Sequence, residues 1–282
     1  MERSPEQIYK EYIDKILDNT SAVDQLLYLI DNSDSYILRI ECIEILNKIG
    51  TKDERVFNLL ENLLISDSNE KVRNIAARVL KNNFLDRALE PMKWAIHHEK
   101  ALNCLLTIVS TIGEINNEQS KVILLEKIKI IDNPDFNKSL RNLVKTKKIH
   151  NFKNERFAEI INNYLVIEYF EEKFSNINYQ VEEGLVTELD LSGISSNLFG
   201  RNILRNLPEF INILKYLKKL DLKINRIAQL PKSIGELTFL KYLDLSNNNL
   251  KTLPESVGLL NSLESLYLRY NNLTVLPDSI SN

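Results

Sequence analysis

The chain has 282 residues, with 36 Lys and Arg against 39 Asp and Glu, so its net charge of -3 gives no molecule-wide field to draw nucleic acid or anionic lipid. Seven glycines and two cysteines leave little material for phosphate-cradling loops, a disulfide framework or a four-cysteine zinc site. The longest apolar runs are four or five residues, such as LLYLI at 26–30, against the roughly 20 needed to cross a bilayer, and the opening MERSPEQIYK is charged; a soluble, cytoplasmic protein in a reducing compartment is expected.

The first 115 residues carry a 34-residue period. Leu38, Arg39, Cys42 and Leu46 align with Val72, Arg73, Ala76 and Leu80, and each set follows an acidic, Asn/Ser-rich turn, DNSD at 31–34 and SDSNE at 66–70. Before each turn lies an apolar helix face, Val23/Leu26/Leu27/Ile30 and Val56/Leu59/Leu60/Leu63. A third unit, 88–96 with 101–112, keeps the helix pair but loses the arginine, and 120–131 with 136–147 could form a fourth across the DNPD turn. A single amphipathic hairpin cannot bury its face, so these pairs are expected to stack as an antiparallel superhelix. The VRNIA opening of the second helix resembles HEAT-like helical repeats.

Between the repeats, 138–156 is locally basic, with Lys138, Arg141, Lys145, Lys147, Lys148, Lys153 and Arg156 against Glu155. Its one notable aromatic is Phe152 and it matches no nucleic-acid module, so a solvated segment is the better reading than a phosphate-binding one. A helix over 156–174 follows, presenting Phe157, Ile160, Ile161, Tyr164 and Phe170 on one side. The next segment, NYQVEEGLVTELDLS, reads as a hairpin that caps a sheet edge: a strand at 179–181, a turn through Glu182, Glu183 and Gly184, and a strand from Leu185.

From Leu217 the period becomes 23. LKKLDLKINRI, LKYLDLSNNNL and LESLYLRYNNL each fit LxxLxLxxNxL, and LPEFINIL, LPKSIGEL, LPESVGLL and LPDSI fill the intervening halves. Leu220/Leu222, Leu243/Leu245 and Leu266/Leu268 alternate at strand period and turn into a core, while Asn225, Asn248 and Asn271 are placed to bond the backbone of the turn. Pro231, Pro254 and Pro277 fix the opposite extended segment, and Ile234, Val257 and Ile280 return inward. The first coil is irregular: Leu189 to Leu220 spans 31 residues, eight more than the period, and the surplus lies at 193–206. The last strand is expected to have an open edge, for which truncation, a covering partner, edge-to-edge self-association and sufficiency of the last half-repeat are the alternatives.

This pattern resembles the leucine-rich repeat family, in the short class that carries LPxSIGxL. Together the two resemblances imply an α+β solenoid like those of repeat-rich archaeal and bacterial proteins: a HEAT-like helical domain over 1–150, then a leucine-rich repeat domain over 151–282. In the second domain a helix and hairpin cap, about 151–184, precedes a parallel sheet on the concave face.

Catalytic constellations are poorly supplied. The histidines are His97, His98 and His150, with no HExxH pattern, and Cys42 and Cys104 sit where small core residues belong. No cofactor or metal is expected. Asp190, Asp221 and Asp244 occupy one strand position in successive coils, an outward like-charge column that Lys219, Lys223 and Arg269 are expected to neutralise. The expected protein-binding residues are Lys219, Asp221, Lys223, Tyr242, Asp244, Tyr267, Arg269 and Tyr270, because aromatic and arginine side chains at outward positions contribute contact area that the core does not require. The reading is a noncatalytic protein-interaction scaffold or adaptor that binds another protein through this face, with nucleic acid and membrane disfavoured as partners. The leucine-rich resemblance also implies a regulatory subunit for a small GTPase or a protein-modifying enzyme as the alternative; an enzyme resembling helical-repeat lyases is third and lacks the histidine and acidic cluster it would need.

Overall fold

The computed structural model describes residues 3–174, 177–194 and 203–281; the irregular first-coil insertion noted above lies largely outside them. The chain divides into two compact units, 1–125 with 153–158 and 126–152 with 159–282.

The first unit is built from helices α1 (Pro5–Ile13), α2 (Asn19–Asp31), α3 (Tyr36–Ile49), α4 (Glu54–Ser66), α5 (Glu70–Asn83), α6 (Leu89–His98), α7 (Leu102–Glu114) and the 118–125 part of α8 (Glu118–Lys129). Their starts are fixed locally. Ser4, Asp18, Ser35, Asp53 and Asn69 are extended N-caps whose side chains accept otherwise unpaired first-turn N–H groups, and Gly50 ends α3 in the left-handed conformation, φ 69°. The pairs α2/α3, α4/α5 and α6/α7 pack within themselves, and α3, α5 and α7 pack in succession, which is the stacked helix-pair arrangement expected from the 34-residue period. The buried faces differ in phase from the pattern reading. Leu27, Leu59 and Leu63 are half-buried, while Leu29, Phe57 and Leu64 take core positions. Apolar runs such as LLYLI fit two helical phases, and packing against neighbours on two sides selects between them.

The repeated arginines tie successive pairs together. Arg39 makes a bidentate pair with Asp67 (3.0 and 3.2 Å) and donates to the Ser33 carbonyl; one unit on, Arg73 makes a bidentate pair with Glu99 (2.7 and 2.9 Å) and donates to the Asp67 and Ser68 carbonyls. Each arginine therefore reads the turn of the next pair as well as its own, a geometry that the planar guanidinium suits.

In the second unit, α9 (Pro134–Lys145), the 159–173 part of α10 (Asn154–Lys173) and the hairpin β1 (Asn178–Glu182) with β2 (Leu185–Asp190) precede the coils. The hairpin is antiparallel, and β2, β3 (Lys219–Asp221), β4 (Tyr242–Asp244) and β5 (Ser265–Tyr267) run parallel in sequence order as one sheet. Gly184 supplies the hairpin turn at φ 79°, where any side chain would also collide with Ile160. The Asn163 side chain accepts from the Val186 N–H, Ser139 Oγ accepts from the Gly184 N–H, and Asn133 donates to the Tyr179 hydroxyl.

Each coil closes in the same way. Pro208, Pro231 and Pro254 hold extended backbone ahead of short 3-10 turns at Glu209–Ile213, Lys232–Glu236 and Glu255–Leu259. Gly235 and Gly258 sit in these turns because a Cβ there would lie 2.3 and 2.5 Å from a serine carbonyl oxygen or side chain of the following coil. The asparagine ladder bonds coil to coil: Asn225, Asn248 and Asn271 donate to the carbonyls of Leu191, Leu222 and Leu245 in the preceding coil (2.7, 2.9 and 2.8 Å). Leucines 220, 222, 243 and 245 are fully buried, whereas Leu263, Leu266 and Leu268 of the last coil are only half-buried.

Candidate functional site

Every β3–β5 coil offers four positions to the concave side before its ladder asparagine: the first and third residues of the strand, then the two residues that follow its last leucine. In β3 these are Lys219, Asp221, Lys223 and Ile224; in β4 Tyr242, Asp244, Ser246 and Asn247; in β5 Ser265, Tyr267, Arg269 and Tyr270. The register pairs Lys219 with Tyr242 and Tyr242 with Ser265 in one row, and Asp221 with Asp244 and Asp244 with Tyr267 in the next. The coil therefore brings the eight expected residues onto three adjacent strands and the turns that follow them.

The aspartates differ from the expected outward column. Asp221 and Asp244 are only 4% and 7% exposed. Asp190, Asp221 and Asp244 each turn an oxygen onto the N–H two residues along, that of Ser192, Lys223 and Ser246 (2.8, 3.1 and 2.9 Å). This is the local side-chain-to-backbone bond that aspartate makes where a strand ends, and it makes these residues supports of the face instead of contacts on it. Neutralisation is also more selective than expected. Lys223 pairs with Asp221 at 2.8 Å, and that bond raises its pKa above the ordinary lysine value; Lys219 instead lies over the Tyr242 ring, 5.5 Å from its centroid. Arg269 has no ion-pair partner among the described residues.

At the centre, the Tyr242 and Tyr267 rings meet at 5.3 Å and 44°. Tyr242 donates to Asp244 at 3.3 Å, and partial burial, then the Asp244 and Asp221 charges, raise its hydroxyl pKa, so it remains a neutral donor. Tyr267 is 44% exposed and Tyr270 78%. Sequence reasoning missed Ile224, which is 50% exposed. Ile224, Asn247 and Tyr270 recur at 23-residue spacing with φ of 57°, 56° and 56°, the left-handed region. The signal was the residue before each ladder asparagine, which the strand alternation does not cover.

Cys42 and Cys104 are buried free thiols whose pKa values burial pushes up, that of Cys42 to about 12, which opposes thiolate chemistry. His98 stacks on Trp94 at 4.0 Å and bonds its carbonyl, and His97 is exposed. Within the basic stretch Lys148 pairs with Glu183, beside an open cleft of about 430 Å³ between α9 and β1. Among the described residues no three His, Cys, Asp or Glu side chains are grouped to hold a metal ion, and no helix is long and apolar enough to cross a membrane.

Residues 188–282 match a family model described as a leucine-rich repeat region, and residues 11–81 match one described as HEAT repeats. Among solved structures, a leucine-rich repeat protein of Leptospira interrogans is 36% identical over 33% of this chain and 28% of that one, with a TM-score of 0.30. No curated protein matches the chain. The chain joins a region similar to HEAT repeats at 11–81 to a region similar to leucine-rich repeats at 188–282, the build of a repeat-protein scaffold capable of protein interaction.

Proposed function

We propose that the protein is an adaptor that binds another protein through the concave side of β3–β5, with the helical repeats as a spacer or second surface. One observation carries this reading: Tyr242 and Tyr267, on adjacent strands, form a partly exposed ring pair that the leucine core does not need. A rigid, preordered surface loses little entropy on association, and truncating a central aromatic or arginine in such a patch typically costs about 2 kcal/mol or more in binding, roughly thirtyfold in affinity. Asp221 and Asp244 belong to the proposal as supports, Lys219, Lys223, Arg269 and Tyr270 as contacts. A cytoplasmic location is part of the same reading, supported by two buried cysteines left unbonded. Where the leucine-rich module begins is a proposal too: the sequence pattern puts it at 151, and the bonds from α9 to the hairpin argue for including 126–150.

The test replaces Tyr242, Tyr267 and Arg269 by Ala, confirms an unchanged melt by circular dichroism, and compares captured partners with wild type by quantitative mass spectrometry. Loss of the specific partners is expected. Retention at wild-type strength, with loss on charge reversal of Lys145, Lys147 and Lys148, would move recognition to the basic stretch.

A further inference from the structure

Charge on β3–β5 is sorted by depth. Its carboxylates, Asp221 and Asp244, lie beneath the surface and are engaged by backbone N–H groups. Its cations lie above them: Lys219 and Arg269 are exposed and have no carboxylate partner among the described residues, and Lys223 keeps a partly exposed ammonium after pairing with Asp221. The neighbouring lysines are different, because Lys218 and Lys241 are paired with Glu182 and Glu264 at 3.0 and 2.7 Å. What a ligand meets on these strands is therefore two cations without an ion-pair partner, Lys219, which lies over the Tyr242 ring and in register with Glu188 of β2, and Arg269 beyond Tyr267.

A second feature lies along the same edge. Ile224 and Tyr270 hold the left-handed conformation that Gly or Asn adopts at lower cost, as Gly193 and Asn247 do at the matching positions of their coils. Neither side chain is buried, so no core packing offsets the strain. Apolar groups held in water at strained positions have a use when something covers them.

We infer that this face takes an acidic segment of a partner protein that also carries apolar or aromatic side chains, its carboxylates meeting Lys219 and Arg269 and its apolar groups covering Tyr242, Tyr267, Ile224 and Tyr270. The inference rests on the concave-face reading and adds the chemistry of the partner. Charge complementarity decides for this occupant: burying an aromatic patch between two cations leaves them unpaired and desolvated unless the ligand brings carboxylates. A nucleic acid fits less well, since it presents phosphates continuously and the Asp221 and Asp244 carboxylates lie beneath the gap between the cations.

The test selects random 12-residue displayed peptides on the immobilised full chain, then measures synthetic copies of enriched sequences by fluorescence anisotropy, with a 12-nucleotide oligothymidylate as the competing probe. Enriched peptides are expected to be net acidic and to carry at least one apolar or aromatic residue. Their affinity falls at least tenfold with Lys219→Glu plus Arg269→Glu, falls likewise with Tyr242→Ala plus Tyr267→Ala, and weakens with added salt. Lys219→Gln plus Arg269→Gln, which adds no new charge, gives a smaller loss in the same direction, and melts confirm that each variant is folded. Neutral or basic peptides that still depend on Tyr242 and Tyr267 overturn the acidic partner and leave the concave face standing. Acidic peptides indifferent to both concave pairs overturn the face itself. Tighter, Lys219- and Arg269-dependent binding of the oligothymidylate, or no enrichment at all, also overturns the acidic partner.

Discussion

Ile224 shows how a single residue can set stability against use. A β-branched side chain in the left-handed region is strained, and Ile224 is half exposed, so burial returns little. Asn, the residue at the matching position of the next coil, tolerates that backbone. Ile224→Asn is therefore expected to raise the stability of the leucine-rich unit by about 0.5–1 kcal/mol in urea denaturation, while weakening any ligand that covers this edge; a lower midpoint would show that Ile224 is held by packing after all. Glu99 makes a second residue-scale case. Burial by itself raises its carboxyl pKa, but bonds from Arg73, from the Ala101 and Lys100 N–H groups and from the Cys104 thiol outweigh that and hold it at about 2, below the ordinary 4.5. A carboxyl depressed in the folded state contributes stability that is complete above its ordinary value and is lost as pH falls through the folded one. The helical unit should lose on the order of 2 kcal/mol between about pH 4.5 and 2 from this group. Glu99→Gln should flatten that part of the pH profile in thermal melts, at the cost of a lower melting point at pH 7; a profile unchanged by the substitution would assign the acid sensitivity elsewhere.

Elements were legible where one physical demand repeats and less so where two demands compete. The ladder asparagines, the prolines before the 3-10 turns and the hairpin ahead of the coils follow from backbone bonding and edge protection, and these reappear in the structure. Helix phase in α2 and α4 was read wrongly for Leu27, Leu59 and Leu63, because a leucine-rich run supports more than one face until neighbouring helices select one. Alternation assigned Asp221 and Asp244 to the surface; it carries no information about a side chain bending back to its own backbone. Arg39 and Arg73 occupy equivalent repeat positions, yet their acidic partners lie in the turn of the next repeat, a contact between units that matching equivalent positions does not reveal. Ser139 accepts from the hairpin amide at Gly184, Asn133 donates to Tyr179, and Phe136 packs edge-on against Tyr164 at 5.8 Å. Removing 126–150 strands those groups and uncovers β1. A fragment covering 126–282 should be soluble with a cooperative melt, and one covering 151–282 should melt lower and expose apolar surface to a reporter dye; equal melts would mean that α10 and the hairpin cap the coils unaided.

At the scale of the whole solenoid, each coil is stabilised by its neighbours, so protection should depend on position in the stack. In the middle, the Leu245 and Asn247 amides donate to the Tyr267 and Arg269 carbonyls of the following coil (2.8 Å each), and Leu240, Leu243 and Leu245 are fully buried. The matching amides of the last coil, those of Leu268 and Tyr270, have no following coil among the described residues, and Leu263, Leu266 and Leu268 remain half-buried. Opening the last coil breaks one interface, whereas opening the middle coil breaks two. Hydrogen–deuterium exchange on the 282-residue chain should therefore show protection falling from Leu245 and Asn247 toward Leu268 and Tyr270, by roughly tenfold or more if the lost interface is worth even ~1.4 kcal/mol. Dilution separates this from self-association at the β5 edge: fraying of a free edge is independent of protein concentration, while pairing of two copies through that edge protects Leu268 and Tyr270 only when the chain is concentrated. Protection of the last coil equal to that of the middle one at every concentration would contradict nearest-neighbour coupling as the source of the stack's stability.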